Sequence, residues 1–258
     1  MGLTNRDKRR NITVLSDNAV MLRFAFVQRK ITVIMGDLAL KNDRETRAKL
    51  LASAKAEFLE KGYMQASLRN ICKNAGVTTG ALYFFFQDKE DLFASIVEEP
   101  LHGLYEIMKA HYSLEMQSKD IDAEVVLGNS EDLEAAREAI HYMYQNYDEF
   151  QLLLTKAQGS RYAQCVDQFV NITEQHYRVM ADQYTDMLHT DRVEDYIIHW
   201  IAHMHIDTFV HMLTHEESEG AALRHMEATV KYLISGWFGM IGGGNIPPEI
   251  GNRAMPEK

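Results

Sequence analysis

Proline is scarce in this chain, with four residues in 258 at positions 100, 247, 248 and 256, and glycine is sparse before the C-terminus. Few breakers over such a length argue for long helices and an all-α fold. Cysteine is nearly absent. Cys72 and Cys165 are too few for a disulfide framework or a thiolate metal cluster, so buried free thiols in a reducing, cytoplasmic setting are expected. No run of 18 apolar residues occurs, so no transmembrane helix and no membrane partner are indicated. The apolar part of the N-terminal stretch is broken by Arg23, Arg29 and Lys30 and lacks a small-residue cleavage site, which argues against a signal peptide. Arg6 stands where N-myristoylation needs Ser or Thr.

Charge is unevenly spread. Lys and Arg outnumber Asp and Glu by 8 to 3 in residues 1–42 and by 8 to 7 in residues 43–92, whereas residues 93–258 hold 11 against 27. A neutral-to-basic unit before an acidic body is the distribution of an anion-binding head, although a solvated acidic surface without a partner gives the same numbers. Residues 1–42 have weak periodicity and read as an N-terminal extension. Met35 could start translation and leave residues 1–34 unused, or the basic segment could be an arm for the minor groove.

A clear pattern begins at residue 43. Asn42 or Asp43 offers an N-cap, Leu51, Ala54, Phe58 and Leu59 form an apolar stripe, and Gly62 sits where a helix stops. Ser67 caps a short helix whose inner face is Leu68, Ile71, Cys72 and Ala75; Gly76 supplies a left-handed turn. A second short helix begins near Thr78 and buries Leu82 with Phe86, and Asp88 caps a longer one packing Leu92, Phe93, Ile96 and Val97. Two short helices joined by a tight Gly-containing turn are a helix-turn-helix. In that motif the second helix enters the major groove of double-stranded DNA. Its leading residues are Thr78, Thr79, Gly80 and Ala81, followed by Tyr83. Small side chains permit close approach, and Thr offers a hydroxyl and a methyl to base edges. The N-terminus of the next helix, with Lys89, suits a phosphate. The aromatics divide between a core role for Phe84 or Phe86 and a groove-edge role for Tyr83.

Gly62-Tyr63, Ser67-Leu68-Arg69-Asn70-Ile71, Ala75-Gly76-Val77, Gly80-Ala81-Leu82-Tyr83 and Asp88-Lys89-Glu90-Asp91-Leu92-Phe93 together resemble the signature of the TetR/AcrR transcriptional regulators over residues 43 to 96. The resemblance implies an all-helical homodimer. Residues 43–92 would be a three-helix DNA-binding domain and residues 93–241 a helical effector-binding and dimerisation domain, with 242–258 a tail. It implies operator contacts from Ser67, Arg69, Thr78, Thr79, Gly80, Tyr83 and Lys89, release by a small-molecule effector, and no cofactor, metal or catalysis. Phe85 departs from the His or Tyr, and Thr79 from the Lys, that members often carry; Phe85 cannot donate to phosphate.

The body reads as helices. Pro100 should break or kink the chain at Glu99. A helix over about 163–188 carries Phe169, Thr173, His176, Tyr177, Met180, Tyr184 and Met187 inward. Leu223, Met226, Val230, Leu233, Trp237 and Met240 recur at steps of three and four, a bundle seam. The helix before it, about 193–216, is apolar on several sides. The resemblance places the dimer interface on these last two helices, with Met204, Leu223, Met226, Val230, Leu233 and Trp237 as candidates; periodicity alone allows an intramolecular bundle equally well. Tyr105, Met108, Tyr112, Tyr144, Tyr147, Phe150, Tyr162, His176, Met180 and His203 would suit an apolar effector pocket with polar tips, or ordinary core.

His199, His203, Asp207, His211 and His215 follow at steps of four. Adjacent pairs could chelate a metal, line a pocket or pack as polar interface, but the row drifts around the helix and cannot converge on one ion. Glu99–His102 and Glu138–His141 repeat the Glu-x-x-His spacing of di-iron bundles, and so keep a helical metal-dependent enzyme as the competing class. A third reading is a DNA-binding regulator without a ligand pocket.

Overall fold

The computed structural model describes residues 40–117 and 130–241. The N-terminal extension with its Met35 start, and the tail after 241, fall outside these residues. Among the described residues the fold is all-helical, with no strand. Helix α1 spans 40–65. It is followed by α2 (Leu68–Ala75), α3 (Thr79–Phe85), α4 (Lys89–Gln117), α5 (Ser130–Gln145), α6 (Tyr147–Gln151), a π-helical turn at Leu152–Lys156, α7 (Cys165–Leu188), α8 (Asp195–His215) and α9 (Glu219–Ile241).

Helix α1 is already under way at residue 40, so Asn42 and Asp43 lie inside it rather than capping it. Its fully buried positions are Leu50, Ala54 and Phe58, spaced by four, while Leu51 is only half-buried. Phe58 meets the Phe93 ring edge-on at 5.0 Å, locking α1 onto α4. Gly62 takes the left-handed conformation expected of a stop, φ 74°, yet one more helical turn follows it through residue 65.

Glu57 shows how the head is wired. Its carboxylate is 6% exposed and accepts hydrogen bonds from the Ser67 backbone N–H (3.2 Å) and the Asn70 amide (3.3 Å). The start of α2 is thus satisfied from α1, and the Ser67 side chain, at the cap position, makes no capping bond. Gly76 closes α2 with φ 70°, ψ 29°, its N–H directed to the Cys72 and Lys73 carbonyls. No neighbour crowds a Cβ at this position, so the backbone angle alone selects glycine.

Pro100 does not end the helix. α4 runs unbroken for 29 residues with Pro100 buried inside it. The lost amide and ring crowding cost about 3 kcal/mol, but the helix is packed on both sides of that point. Leu92, Phe93 and Val97 sit in the head, Leu101 and Leu104 in the body, and all belong to one apolar cluster reaching from Leu50 to Val230. At Gly103 a Cβ would fall 1.9 Å from the Tyr142 hydroxyl oxygen, so glycine lets α5 close over α4.

In the body α7 packs chiefly on α8, and α5 on both α4 and α9. Met187, expected inward, is exposed near the end of α7. Met226, Val230 and Trp237 are buried within their own chain. The α9 seam is therefore intramolecular, and these side chains are not outward dimer contacts. Among the described side chains, Tyr196, Trp200 and Tyr232 are the large apolar ones exposed on α8 and α9.

Because Glu57 is a buried charged acceptor, Glu57→Ala is expected to lower the unfolding free energy by about 1–3 kcal/mol. Ser67→Ala should cost clearly less than the ~1 kcal/mol typical of a lost cap. Urea denaturation of both variants tests this; equal losses would mean that Ser67, not Glu57, holds the start of α2.

Candidate functional site

Helix α3 is short and sits with one face on the core through Leu82, flanked by Phe86. Its N-terminus is closed by Thr78, whose Oγ1 accepts from the Ala81 N–H at 3.2 Å. Thr78, Thr79, Gly80 and Tyr83 are exposed, as is Arg69 on α2. Phe86 takes the core role and Phe84 does not: Phe84 is 73% exposed, Tyr83 58% and Phe86 2%. Phe85 is half-buried between them, its ring edge-on to Phe84. Two exposed aromatics beside small polar residues make a surface able to approach base edges closely.

Ser67 is half-buried, and Lys89 is turned back onto the end of α1. The Lys89 Nζ donates to the carbonyls of Tyr63 (2.7 Å), Met64 (3.2 Å) and Ala66 (3.4 Å), and lies 4.6 Å from the Tyr63 ring centre. It holds the end of α1 rather than standing free for a phosphate. The start of α4 is closed by two aspartates: Asp88 Oδ1 accepts from the Asp91 N–H (2.8 Å), and Asp91 Oδ2 from the Gln87 N–H (2.8 Å).

The head joins the body by polar links as well as by α4. Glu90 accepts from the Tyr63 hydroxyl at 2.6 Å and from the Arg161 backbone N–H at 3.1 Å. Lys55 reaches Glu149 at 2.9 Å and Asp148 at 3.2 Å.

The body holds a cavity of about 790 Å³ that opens to solvent where exposed Trp200 and Tyr232 line it. Its apolar wall includes Leu104, Met108, Phe150, Phe169, Ile206 and Trp237. Of the effector candidates, Met108, Tyr112, Phe150 and Met180 line it. The rest do not. Tyr105 meets Phe169 edge-on, Tyr144 stacks on Tyr147 and donates to the Glu216 carbonyl, and Tyr162 packs beside Phe93 at the head–body joint. His203 lies against His199, and His176 is buried behind Tyr112. Met204, Val230, Leu233 and Trp237, read as interface candidates, are wall residues instead, while Leu223 is half-buried against the core.

Polar groups gather at one part of this wall. His111, Tyr112 and Glu115 come from α4, Asp132 from α5, Tyr177 from α7 and His205 from α8. Behind them the Tyr112 hydroxyl bonds Thr173 at 2.9 Å, and its ring stacks on His176 at 4.1 Å, nearly parallel. Tyr177 bonds His205 Nδ1. Burial pushes the Asp132 carboxyl up, but hydrogen bonding with His111 and Glu115 outweighs it and holds the group below the usual carboxylate range. Enclosure in the protein drives His205 down to about 4, so this imidazole is neutral at pH 7. Cys165, also on the wall, is pushed up to about 11 by burial and is no nucleophile at neutral pH.

The metal-spaced patterns read from sequence do not assemble. Glu99, His102, Glu138 and His141 are all exposed, with His141 paired to Glu219. The α8 row lies along the outside: His199 bonds Glu174, and the rings of His211 and His215 stack at 3.9 Å. His205, Glu115 and Asp132 were not singled out in the sequence. His205 sits two residues from His203, hence on the opposite side of α8, which separates it from the outward row. His111 and Glu115 carry a weak signal, a metal-compatible i, i+4 spacing on one face.

This head geometry defines a helix-turn-helix domain. Residues 50–96 match the model of the bacterial regulatory proteins of the tetR family. Over 64 residues the chain is 47% identical to the HTH-type transcriptional repressor BepR of Brucella suis, covering 25% of this chain and 31% of that protein. Over 55 residues it is 47% identical to the HTH-type transcriptional regulator AcrR of Shigella flexneri, covering 21% and 26%. The aligned part is thus less than a third of either relative's length. A transcriptional regulator of the TerR/AcrR family from Aquifex aeolicus VF5 superposes with a TM-score of 0.48 at 19% identity, covering 73% of this chain and 99% of that one. Residues 50–96 are thus similar to the DNA-binding domain of the tetR-family regulatory proteins. No described helix is long and apolar enough to cross a membrane.

The depressed His205 group makes a pH prediction. Its folded value of about 4 lies below the ordinary 6.5, so it favours the folded state fully above pH 6.5 and loses that contribution as pH falls toward 4. Relative to His205→Phe, the wild type should lose melting temperature between pH 7 and pH 5. A gap between the two that stays constant across this range would show that the imidazole is not held neutral.

Proposed function

We propose that this chain is a homodimeric transcriptional regulator that binds double-stranded operator DNA through α3 and is released, as a repressor, when a small apolar molecule fills the body cavity. The observation that carries the DNA reading is the exposed front of α3, with Thr79, Gly80 and Tyr83 outward, inside a family-matched domain. Residues 43–92 act as the DNA-binding domain, 93–241 as the effector and dimerisation domain, and α4 belongs physically to both. A single unit of this size makes few base contacts. A two-fold dimer sets two recognition helices about 34–36 Å apart on successive major grooves. Exposed Tyr196 on α8 supports that side as the dimer face, whereas the exposed Trp200 and Tyr232 belong to the cavity lining.

For the effector, the cavity favours a largely apolar molecule carrying at least one acceptor. Among the described residues, the buried Nε1 of Trp237 has no hydrogen-bond partner and its ring lines the cavity. A ligand acceptor there would satisfy it. Coupling runs through α4, which carries Lys89 at the head and Met108, His111, Tyr112 and Glu115 at the cavity. A ligand that repositions this helix changes the separation of the two α3 helices.

Selection of bound fragments from the host genome by the purified full chain tests the DNA reading, and recovery of no common sequence overturns it. On the selected operator, Thr79→Ala or Tyr83→Ala should change base preference, with ~1–3 kcal/mol at an affected position. Arg69→Ala should weaken all sequences alike and lower the salt slope by roughly one. Lys89→Ala should lower the melting temperature while leaving the salt slope unchanged, because its ammonium serves the α1 carbonyls. A changed preference with Arg69→Ala, or a changed slope with Lys89→Ala, would reassign those contacts.

Trp200 and Trp237, the two tryptophans of the chain, both line the cavity, so ligand entry is expected to quench intrinsic fluorescence. For a compound found in such a screen, operator DNA should weaken binding 5- to 150-fold, the reciprocal of its effect on DNA, for a coupling of ~1–3 kcal/mol. Equal affinity with and without operator would leave a DNA-binding regulator whose cavity is uncoupled.

A further inference from the structure

We propose that the polar end of the cavity is a binding site for one divalent transition-metal ion, held by His111, Glu115 and Asp132, with His176 directly behind Glu115. One donor atom from each of His111, Glu115 and Asp132 lies within 4.8 Å of the other two. His111 Nε2 is 3.4 Å from Asp132 Oδ1 and 3.6 Å from Glu115 Oε2. Metal–ligand bonds of ~2.0–2.2 Å in a tetrahedron place neighbouring donors about 3.3–3.6 Å apart, so these edges already have the required length. Two carboxylates brought this close repel each other unless a cation or a proton lies between them.

His176, behind Glu115, is an independent observation. His176 is 6% exposed, and its Nε2 is buried with no hydrogen-bond partner among the described residues, although Glu115 Oε2 is only 2.6 Å away. A buried imidazole nitrogen aimed at a carboxylate oxygen without hydrogen-bond alignment costs free energy as it stands. A cation on Glu115 would draw charge from that carboxylate and leave His176 Nε2 facing a bound ligand instead of a bare acceptor. His176 is also held in place, its ring stacked on Tyr112, which is fixed by Thr173. Such support behind a ligand orients it. The four side chains come from α4, α5 and α7, so local sequence spacing does not announce the set. One imidazole and two carboxylates, with a second imidazole behind them and no thiolate, suit Zn(II), Co(II) or Fe(II) better than the all-oxygen preference of Mg(II) or Ca(II).

This site stands apart from the DNA-binding reading, since an ion can bind whether or not the chain recognises an operator. The test uses the full chain, stripped with EDTA and titrated with Zn(II) or Co(II) by calorimetry, with Mg(II) and Ca(II) as controls. The expected result is one Co(II) per chain with visible d–d bands, displaced by Zn(II), and a Zn(II)-dependent rise in melting temperature. Glu115→Gln and His176→Ala should each weaken binding at least tenfold, whereas His211→Ala on the outer row of α8 should leave it unchanged. If either variant fails to fold, Asp132→Asn, which is less buried, makes the same comparison. The proposal is overturned if Zn(II) binds no better than Mg(II), or if Glu115→Gln and Asp132→Asn both bind Zn(II) as tightly as the wild type. DNA binding measured in parallel separates the two readings, because either can fail while the other holds.

Discussion

Helix α4 continues through a buried proline, and both halves of the molecule hang from that continuity. At Pro100 the helix gives up a backbone hydrogen bond and carries a ring that crowds the preceding turn. It stays whole because Phe93 and Val97 are fixed on one side of that point, and Leu101 and Leu104 on the other. Ending the helix at Glu99 would expose apolar surface in both halves, and the sum of those burials outweighs one lost bond. About 43 Å of helix, at 1.5 Å per residue, thus begins under the α3 surface and passes the cavity.

The charge pattern takes on a physical meaning in this frame. Much of the acid in the body is ordinary solvated surface, but Glu115 and Asp132 there, like Glu57 and Glu90 in the head, each perform a structural task. Glu57 closes the start of α2, and Glu90 ties Tyr63 to the 157–164 turn. Glu115 and Asp132 gather imidazoles at the cavity wall. Lys89 works in the same way at the end of α1, where a cation favourably meets the unpaired carbonyls of a helix C-terminus. Charged groups near the helix ends of the head therefore serve its own backbone first, leaving mainly uncharged residues on the outward side of α3.

The head was legible because its constraints are local. Gly76 had to be left-handed, Leu82 and Phe86 had to face inward, and Thr78 had to close α3, and each follows from residues within a few positions. Errors arose where a distant partner intervened. Ser67 lost its capping role to Glu57, ten residues away, and Leu51 yielded the buried position to Leu50. In the body, a list of aromatic and Met residues separated poorly into wall and core. Tyr144 and Tyr147 have the same composition signal as Tyr112, yet they stack on each other away from the cavity.

The sequence by itself determined the helical class, the helix-turn-helix with its turn glycine, and the outward residues of α3, because periodicity and turn chemistry act over one or two helical turns. Only the tertiary structure decided that α9 turns its seam inward, that α4 survives Pro100, that His111, Glu115 and Asp132 meet, and that His176 lies against Glu115. Each of those outcomes depends on which helix covers which face. Side chains 61 residues apart, as His176 is from Glu115, carry no mutual signal in the chain until packing brings them within 2.6 Å.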